Sequence, residues 1–448
     1  MKLEKIVYKS HPFFRENFEI NFKNWDNTPF ITYLVWNNWS GKTLILKNIA
    51  DIITWSNQWW WNFNAECSFR INESEKNILQ VLHDSCIYNY ERTSNSSTTS
   101  NFIDYAWNNL QINEFKQIFK LVYSRVEVNF SNEKITSVTS KNIDNNEPRD
   151  VSNALNVEIP QLLVDIKSID DSEIADWVKE HNGSVQNLPD YIWKRLDRFT
   201  NAFNKIYCWS KIFKKIDNQD QQKVILFQDS EWKEVDISKF SSGEQQVLYR
   251  IGYLLKNLWT LSWWIILIDE PEISLHPIWQ ERFRELLIEV FWNLDIQIII
   301  ATHSPYIYRK IDNTKEQVLK INGGLWQSIK LDTDFCLIWD KLSTSYINYI
   351  AYDIVDYQLH IELYDSLLRK FLWEESDSPS RLDNILIHDY NEPIEVTFTK
   401  TWATEETNET IMTRIRNKMH HPSERNRPDF SEEKMKESIE KMIHLLKL

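Results

Sequence analysis

Two short, nearly continuous apolar runs, IILI at 265–268 and IQIII at 296–300, flank the stretch HPIWQERFRELLIEVF, whose apolar positions recur at helical spacing. A strand so uniformly apolar is covered on both faces. Two such strands joined by one helix pair in parallel through a crossover. The same grammar opens the chain, where FEINF and FITYLV read as strands, a loop follows, and a helix is predicted over 42–54. Strands alternating with helices predict an α/β fold built on a parallel sheet.

With 448 residues and 42% hydrophobic content, the chain can form two or three domains with real cores. Its net charge of -14 argues against a surface that coats nucleic acid broadly, though not against a local basic patch. No leader opens the chain and no apolar run is long enough for a membrane helix, so a cytoplasmic protein without membrane association is expected. Cys67, Cys86, Cys208 and Cys336 are scattered without a CxxC pair, which argues against a disulfide framework and a zinc site.

Composition is abnormal in one respect: 21 Trp against 6 Gly. Ordinary usage would give roughly 30 glycines in a chain this long. Many tryptophans also stand where glycine chemistry belongs: Trp36 and Trp39 in the first loop, Trp59, Trp60 and Trp61 in a polar turn, Trp263 and Trp264 before a buried strand, and Trp292 after a helix. We read the excess as a glycine codon, UGA under a variant code, rendered as tryptophan. Trp193 and Trp279 fit helical apolar faces and read as genuine; a truly tryptophan-rich protein is the alternative.

Four elements carry chemistry. The loop Trp36-Asn37-Asn38-Trp39-Ser40-Gly41-Lys42-Thr43 lies between a strand and a helix, where backbone amides and a helix N-terminus cradle phosphates. Lys42 would neutralise the β and γ phosphates and Thr43 would ligate Mg2+. Asp269 and Glu270 end an apolar strand; the first would hold the metal, the second would orient or deprotonate water, and a solvated acidic strand end is the plain alternative. Ser241, Ser242, Gly243 and Glu244 open a helix and can aim a hydroxyl and an amide at a phosphate, or form an ordinary capping box. His303 follows a buried strand, where it could sense the γ phosphate or be structural.

The order of these elements resembles ABC-type ATPase heads, in the branch shared by chromosome-maintenance, recombination-repair and phage-defence ATPases. FSSGE is similar to the signature motif, IILIDEP to Walker B, EISLHP (272–277) to the D-loop, and Ala301-Thr302-His303 to the switch histidine. The resemblance covers 1–335, with 91–215 as an inserted, mostly helical subdomain, and 336–448 as a helical effector or docking domain. It departs at Trp36 and Trp39 and has no evident Q-loop glutamine. It implies ATP and Mg2+ as cofactors and a homodimer in which each signature motif meets the partner's nucleotide.

Near the C-terminus, Arg416-Asn417 and His421 follow the spacing R-N-x-x-x-H, which resembles the motif of HEPN domains, helical modules often acting as metal-independent RNases. Arg414, Arg425 and Arg427 add local positive charge. A helix-end cap is the plain reading of the same residues. The expected function is an ATPase whose nucleotide-driven dimerisation controls an effector in anti-phage defence or nucleic-acid surveillance, with RNA or DNA as a possible ligand. A regulatory ATP-binding module acting through a separate nuclease partner is the alternative.

Overall fold

The structure, a computed structural model, describes the chain except residues 24–27, 36–40, 55–62, 80–82, 93–97, 105–108, 111–119, 126–134, 136, 140–148, 153–154, 182–189, 209, 220–221, 262, 309–310, 313, 322–328, 331–342, 373–377, 400–405 and 421–428. Two compact units emerge, the first comprising 1–308 with 312–331 and the second 309–311 with 332–448. Among the described residues no helix is long and apolar enough to cross a membrane.

The first unit centres on a seven-stranded sheet. Its strands are β3 (Ile31–Val35), β8 (Leu121–Ser124), β9 (Arg149–Ser152), β13 (Ile265–Asp269), β14 (Gln297–Ala301), β15 (Glu316–Lys320) and β16 (Ile329–Lys330), in the order β16-β15-β3-β14-β13-β8-β9. All neighbours run parallel except β15 and β16. Every residue of β3, β13 and β14 is buried, as uniformly apolar strands under helices require. Helix α1 (Lys42–Thr54) returns along the sheet, matching the predicted bounds.

A second, antiparallel sheet has the order β2-β1-β4-β5-β6-β7, from β1 (Lys2–Ser10), β2 (Phe18–Asn21), β4 (Phe63–Arg70), β5 (Ser85–Arg92), β6 (Thr98–Asp104) and β7 (Asn109–Leu110). One core joins this sheet, through Ile6, Tyr8, Phe18 and Tyr88, to Ile45, Ile49 and Ile52 of α1 and to Leu34, Leu267 and Ile299 of the parallel sheet. Strand β1 has no counterpart among the strands expected from the sequence. The stretch 91–215, expected to be mostly helical, holds α3 (Leu155–His181) and α4 (Asp190–Ile206) after the short strands β6, β7, β8 and β9. Its polar strands gain their stability from cross-strand partners, which a local apolar pattern does not reveal.

Three further strands, β10 (Lys211–Gln219), β11 (Gln222–Asp229) and β12 (Glu234–Asp236), form a small antiparallel sheet. Helices α5 (Ser242–Leu255), α6 (Pro277–Phe291) and the short α2 (Glu73–Leu79), whose Leu79 joins the core, complete the unit. The second unit packs α8 (Tyr357–Leu372) against α9 (Pro379–His388), α10 (Ile411–His420) and α11 (Glu432–Lys447), after α7 (Thr344–Tyr352). A hairpin of β17 (Ile394–Thr399) and β18 (Glu406–Thr410) lies between α9 and α10. The apolar ILIHDY falls mostly in α9, and IEVTFT pairs with ETNET, which is too polar for periodicity to find.

Among the described residues, two tryptophans have left-handed backbones: Trp232 at φ 65 and Trp263 at φ 63. Trp232 closes the β11–β12 hairpin, its N–H donating to the Asp229 carbonyl at 3.1 Å while the Asp229 N–H donates to the Lys233 carbonyl at 3.0 Å. Glycine takes that place in hairpins whose turn ends on one left-handed residue. The Trp232 side chain is 80% exposed and gains little from packing. Trp264 is fully buried, and among the described residues its indole N–H has no hydrogen-bond partner. Trp292 differs, because its φ of -53 is ordinary helix and its ring meets Phe30 edge-on at 5.2 Å. Trp36, Trp39, Trp59, Trp60 and Trp61 lie outside the described residues.

Trp232→Gly is therefore expected to raise stability by about 0.5–1 kcal/mol, because it relieves a left-handed side-chain clash of roughly 1–2 kcal/mol against a smaller loss of glycine entropy. Trp292→Gly should lower it. Equal destabilisation of both variants in urea unfolding would contradict the assignment of Trp232 to a glycine position.

Candidate nucleotide-binding site

The strand order β3-β14-β13 sets three carboxyl ends side by side, and the residues that follow them converge. Gly41, at φ 82, leads from the end of the phosphate loop into α1, and a side chain there would strike the Phe14 ring at 2.9 Å. Lys42 is 4% exposed at the first turn. Burial lowers its pKa to about 8, while Glu270, Glu272 and Asp269 facing it favour the ammonium. The Thr43 hydroxyl donates to Asp269 Oδ1 at 3.0 Å. Burial pushes Asp269 up to about 6, against the pull of that hydrogen bond.

Glu270 stands just past β13 with φ 43, an uncommon conformation for a glutamate, and its N–H donates to the Ala301 carbonyl at 2.8 Å. Its Oε1 lies 3.5 Å from His303 Nε2. Burial and nearby Lys42 both lower the His303 pKa, favouring the neutral imidazole. The His303 N–H donates to Glu272 Oε1 at 2.5 Å, which fixes the turn after β14. Glu272 was only a letter of the EISLHP motif in the sequence; its partner lies 31 residues away and tertiary packing alone reveals it.

Lys42, Thr43, Asp269, Glu270 and His303 are thus brought together. A hydroxyl and a carboxylate 3.0 Å apart are the hard oxygen donors that Mg2+ takes, and a buried ammonium beside a glycine-initiated helix suits a polyphosphate. Trp36, Asn37, Asn38, Trp39 and Ser40 lie outside the described residues.

Of Ser241, Ser242, Gly243 and Glu244, the first and last bond to each other. The Glu244 N–H donates to Ser241 Oγ at 3.4 Å, while the Ser241 N–H and hydroxyl donate to Glu244 Oε2 at 2.8 and 2.9 Å. This is a full capping box at the start of α5. Gly243 carries a second constraint, because a Cβ there would lie 2.2 Å from the Ser274 carbonyl oxygen. Only glycine lets α5 approach the EISLHP loop so closely.

In the second unit, Arg416 and Asn417 sit on α10, and His421 lies outside the described residues. Arg416 Nη1 donates to Asn417 Oδ1 at 2.9 Å, and Asn417 Nδ2 donates to Glu409 Oε1 at 2.7 Å. The guanidinium lies 5.8 Å from the centre of the Tyr364 ring. Asn417 is buried with its amide committed to these two partners, so within this motif it holds Arg416 in place.

Residues 71–309, more than half of the chain, match the family described as "AAA domain, putative AbiEii toxin, Type IV TA system". The chain belongs to this AAA-domain family. Among curated proteins, this AAA-domain chain is 32% identical over 105 residues to "Retron Ec83 probable ATPase" of Escherichia coli, covering 21% of the chain and 19% of that protein. It is 33% identical over 98 residues to "Retron Vc95 probable ATPase" of Vibrio cholerae serotype O1 biovar El Tor, covering 20% and 18%. The chain spans about a fifth of the length of these curated relatives. Similar solved structures include an SMC head domain from Thermotoga maritima, at TM-score 0.40 and 13% identity over 74% of this chain and 98% of that one. Another is an SMC head bound to the C-winged helix domain of ScpA, at TM-score 0.46 and 13% identity with the same coverages.

Proposed function

We propose that this AAA-domain chain binds and hydrolyses ATP with Mg2+, and that nucleotide-driven dimerisation controls its C-terminal unit or a separate effector in defence against phage. The observation that carries this reading is the convergence of Lys42, Thr43, Asp269, Glu270 and His303 at the ends of β3, β13 and β14. Bound Mg·ATP supplies the scissile phosphoanhydride and the cation that neutralises its charge. Lys42 holds the phosphates, Thr43 and Asp269 hold the cation, and Glu270 takes a proton from water. Neutral His303 orients that water beside the Glu270 carboxylate. Dimerisation is supported by the motif order, with Ser241, Ser242, Gly243 and Glu244 meeting the partner's nucleotide. Defence is supported by the family description and by the retron ATPases among its relatives.

A second reading, RNA cleavage by the C-terminal unit, is favoured by Arg416 held over Tyr364 through Asn417 and Glu409. A guanidinium fixed in this way is suited to a phosphate in a transition state. Purified chain incubated with RNA, with and without ATP, separates the readings. If the unit is a nuclease, RNA is degraded and Arg416→Ala abolishes cleavage while ATP hydrolysis continues. A parent chain that hydrolyses ATP and leaves RNA intact under both conditions would reduce the unit to a docking domain for a separate nuclease.

A further inference from the structure

We propose that Arg250 is the positioning residue for Glu270, fixing from the buried side of the sheet the peptide plane from which the glutamate side chain is aimed. This inference rests on the reading of Glu270 as the base that activates water. Arg250 lies on α5, two turns beyond the capping box, and is 1% exposed. Its Nη1 donates to the Asp269 carbonyl at 2.9 Å. That carbonyl and the Glu270 N–H belong to one planar peptide group, and the N–H donates to the Ala301 carbonyl at 2.8 Å. The plane is therefore pinned at both ends, by α5 on one side and by β14 on the other.

From that fixed plane Glu270 departs with φ 43. A glutamate does not hold a left-handed backbone without surroundings that impose it. With the 269–270 peptide free to turn, Glu270 would relax toward an ordinary conformation and its Oε1 would leave the 3.5 Å approach to His303. The helix that presents Arg250 is itself located by two close approaches. A Cβ on Gly243 would meet the Ser274 carbonyl oxygen at 2.2 Å, and one on Gly252 would meet Ile159 Cγ2 at 2.4 Å. Arg250 thus reaches the strand from a support that cannot slide. Burial lowers its pKa to about 10, and Asp269, Glu272 and Glu270 facing it keep the guanidinium charged at neutral pH. A buried guanidinium that donates to a main-chain carbonyl suits the fixing of one peptide orientation.

The experiment measures steady-state ATP hydrolysis, binding of a fluorescent ATP analogue and thermal unfolding for full-length Arg250→Lys, Arg250→Gln and Glu270→Gln, and for Arg250→Lys combined with Glu270→Gln. Arg250→Lys keeps the buried charge and carries the test if the glutamine variant does not fold. The expected result is a kcat lowered about 10- to 100-fold in Arg250→Lys, with KM and analogue affinity within about threefold of the parent, since misplacing a catalytic group affects the transition state and not ground-state binding. The doubly substituted chain should turn over no more slowly than Glu270→Gln alone, because two changes acting through one group are not additive. Parental kcat in folded Arg250→Lys, alongside an inactive Glu270→Gln, overturns the positioning role and leaves the base assignment standing. A loss in Arg250→Lys shared equally by kcat and analogue affinity also overturns it, in favour of a purely structural arginine. Parental turnover in Glu270→Gln removes the base assignment and the inference with it.

Discussion

Glu270→Gln is expected to bind ATP as tightly as the parent and to hydrolyse it at least about 100-fold more slowly, the scale associated with loss of one positioned general base. Glutamine keeps the size of the side chain and can still hydrogen-bond water, but it cannot take a proton. The left-handed backbone at φ 43 and the 3.5 Å approach to His303 are indifferent to that exchange of O for N, so the site geometry survives. Nucleotide should then be trapped, and dimers should accumulate in size-exclusion chromatography with ATP and Mg2+. Turnover equal to the parent would show that another group accepts the proton.

Lys42→Ala should act one step earlier, at binding. The ammonium is 4% exposed and faces Asp269, Glu270 and Glu272. Its removal leaves those carboxylates without their cation and a phosphate without its counter-charge. Truncating one member of a buried charge pair costs about 2–5 kcal/mol, so ATP affinity should fall on the order of 100-fold. Calorimetric titration with ATP distinguishes this from a catalytic defect: affinity is lost in Lys42→Ala and retained in Glu270→Gln. Unchanged affinity in Lys42→Ala would place the phosphates elsewhere.

The candidate site was legible in the sequence where its proposed chemistry coincides with a local pattern. Lys42 and Thr43 follow a buried strand at the start of an amphipathic helix, Asp269 and Glu270 end an apolar run, and His303 follows the next such run. Each sits where a strand stops or a helix starts, and its identity stands out against apolar neighbours. Ser241 and Glu244 were legible as a capping box for the same reason, since the bonds that close it span three residues. The β18 strand and the polar strands after residue 91 were not legible. Their stability comes from partners across a sheet, and their own sequences carry little apolar alternation.

Arg250 shows the limit from the other direction. In QQVLYRIGYLL it reads as one charge on a largely apolar helix, which long side chains commonly tolerate by reaching solvent. In the fold it donates to a carbonyl 19 residues away on a different element. Glu272 is similar, because its role depends on the turn after β14 packing beside the turn after β13.

The sequence by itself determined the parallel α/β architecture and the chemical types available at the strand ends, because burial on both sheet faces imposes apolar runs and leaves polar residues only where strands stop. Glycine-requiring positions could also be suspected from composition, although only backbone conformation separated Trp232 and Trp263 from Trp292. Tertiary structure decided the rest: which strands became neighbours, and therefore that Lys42, Asp269, Glu270 and His303 share one edge of one sheet. It also decided how the Asp269–Glu270 peptide is turned, since that depends on bonds from α5 and β14 that no local pattern encodes. Hydrophobic periodicity reports what a segment must bury, whereas the aim of a catalytic side chain depends on directional hydrogen bonds between segments far apart in the chain.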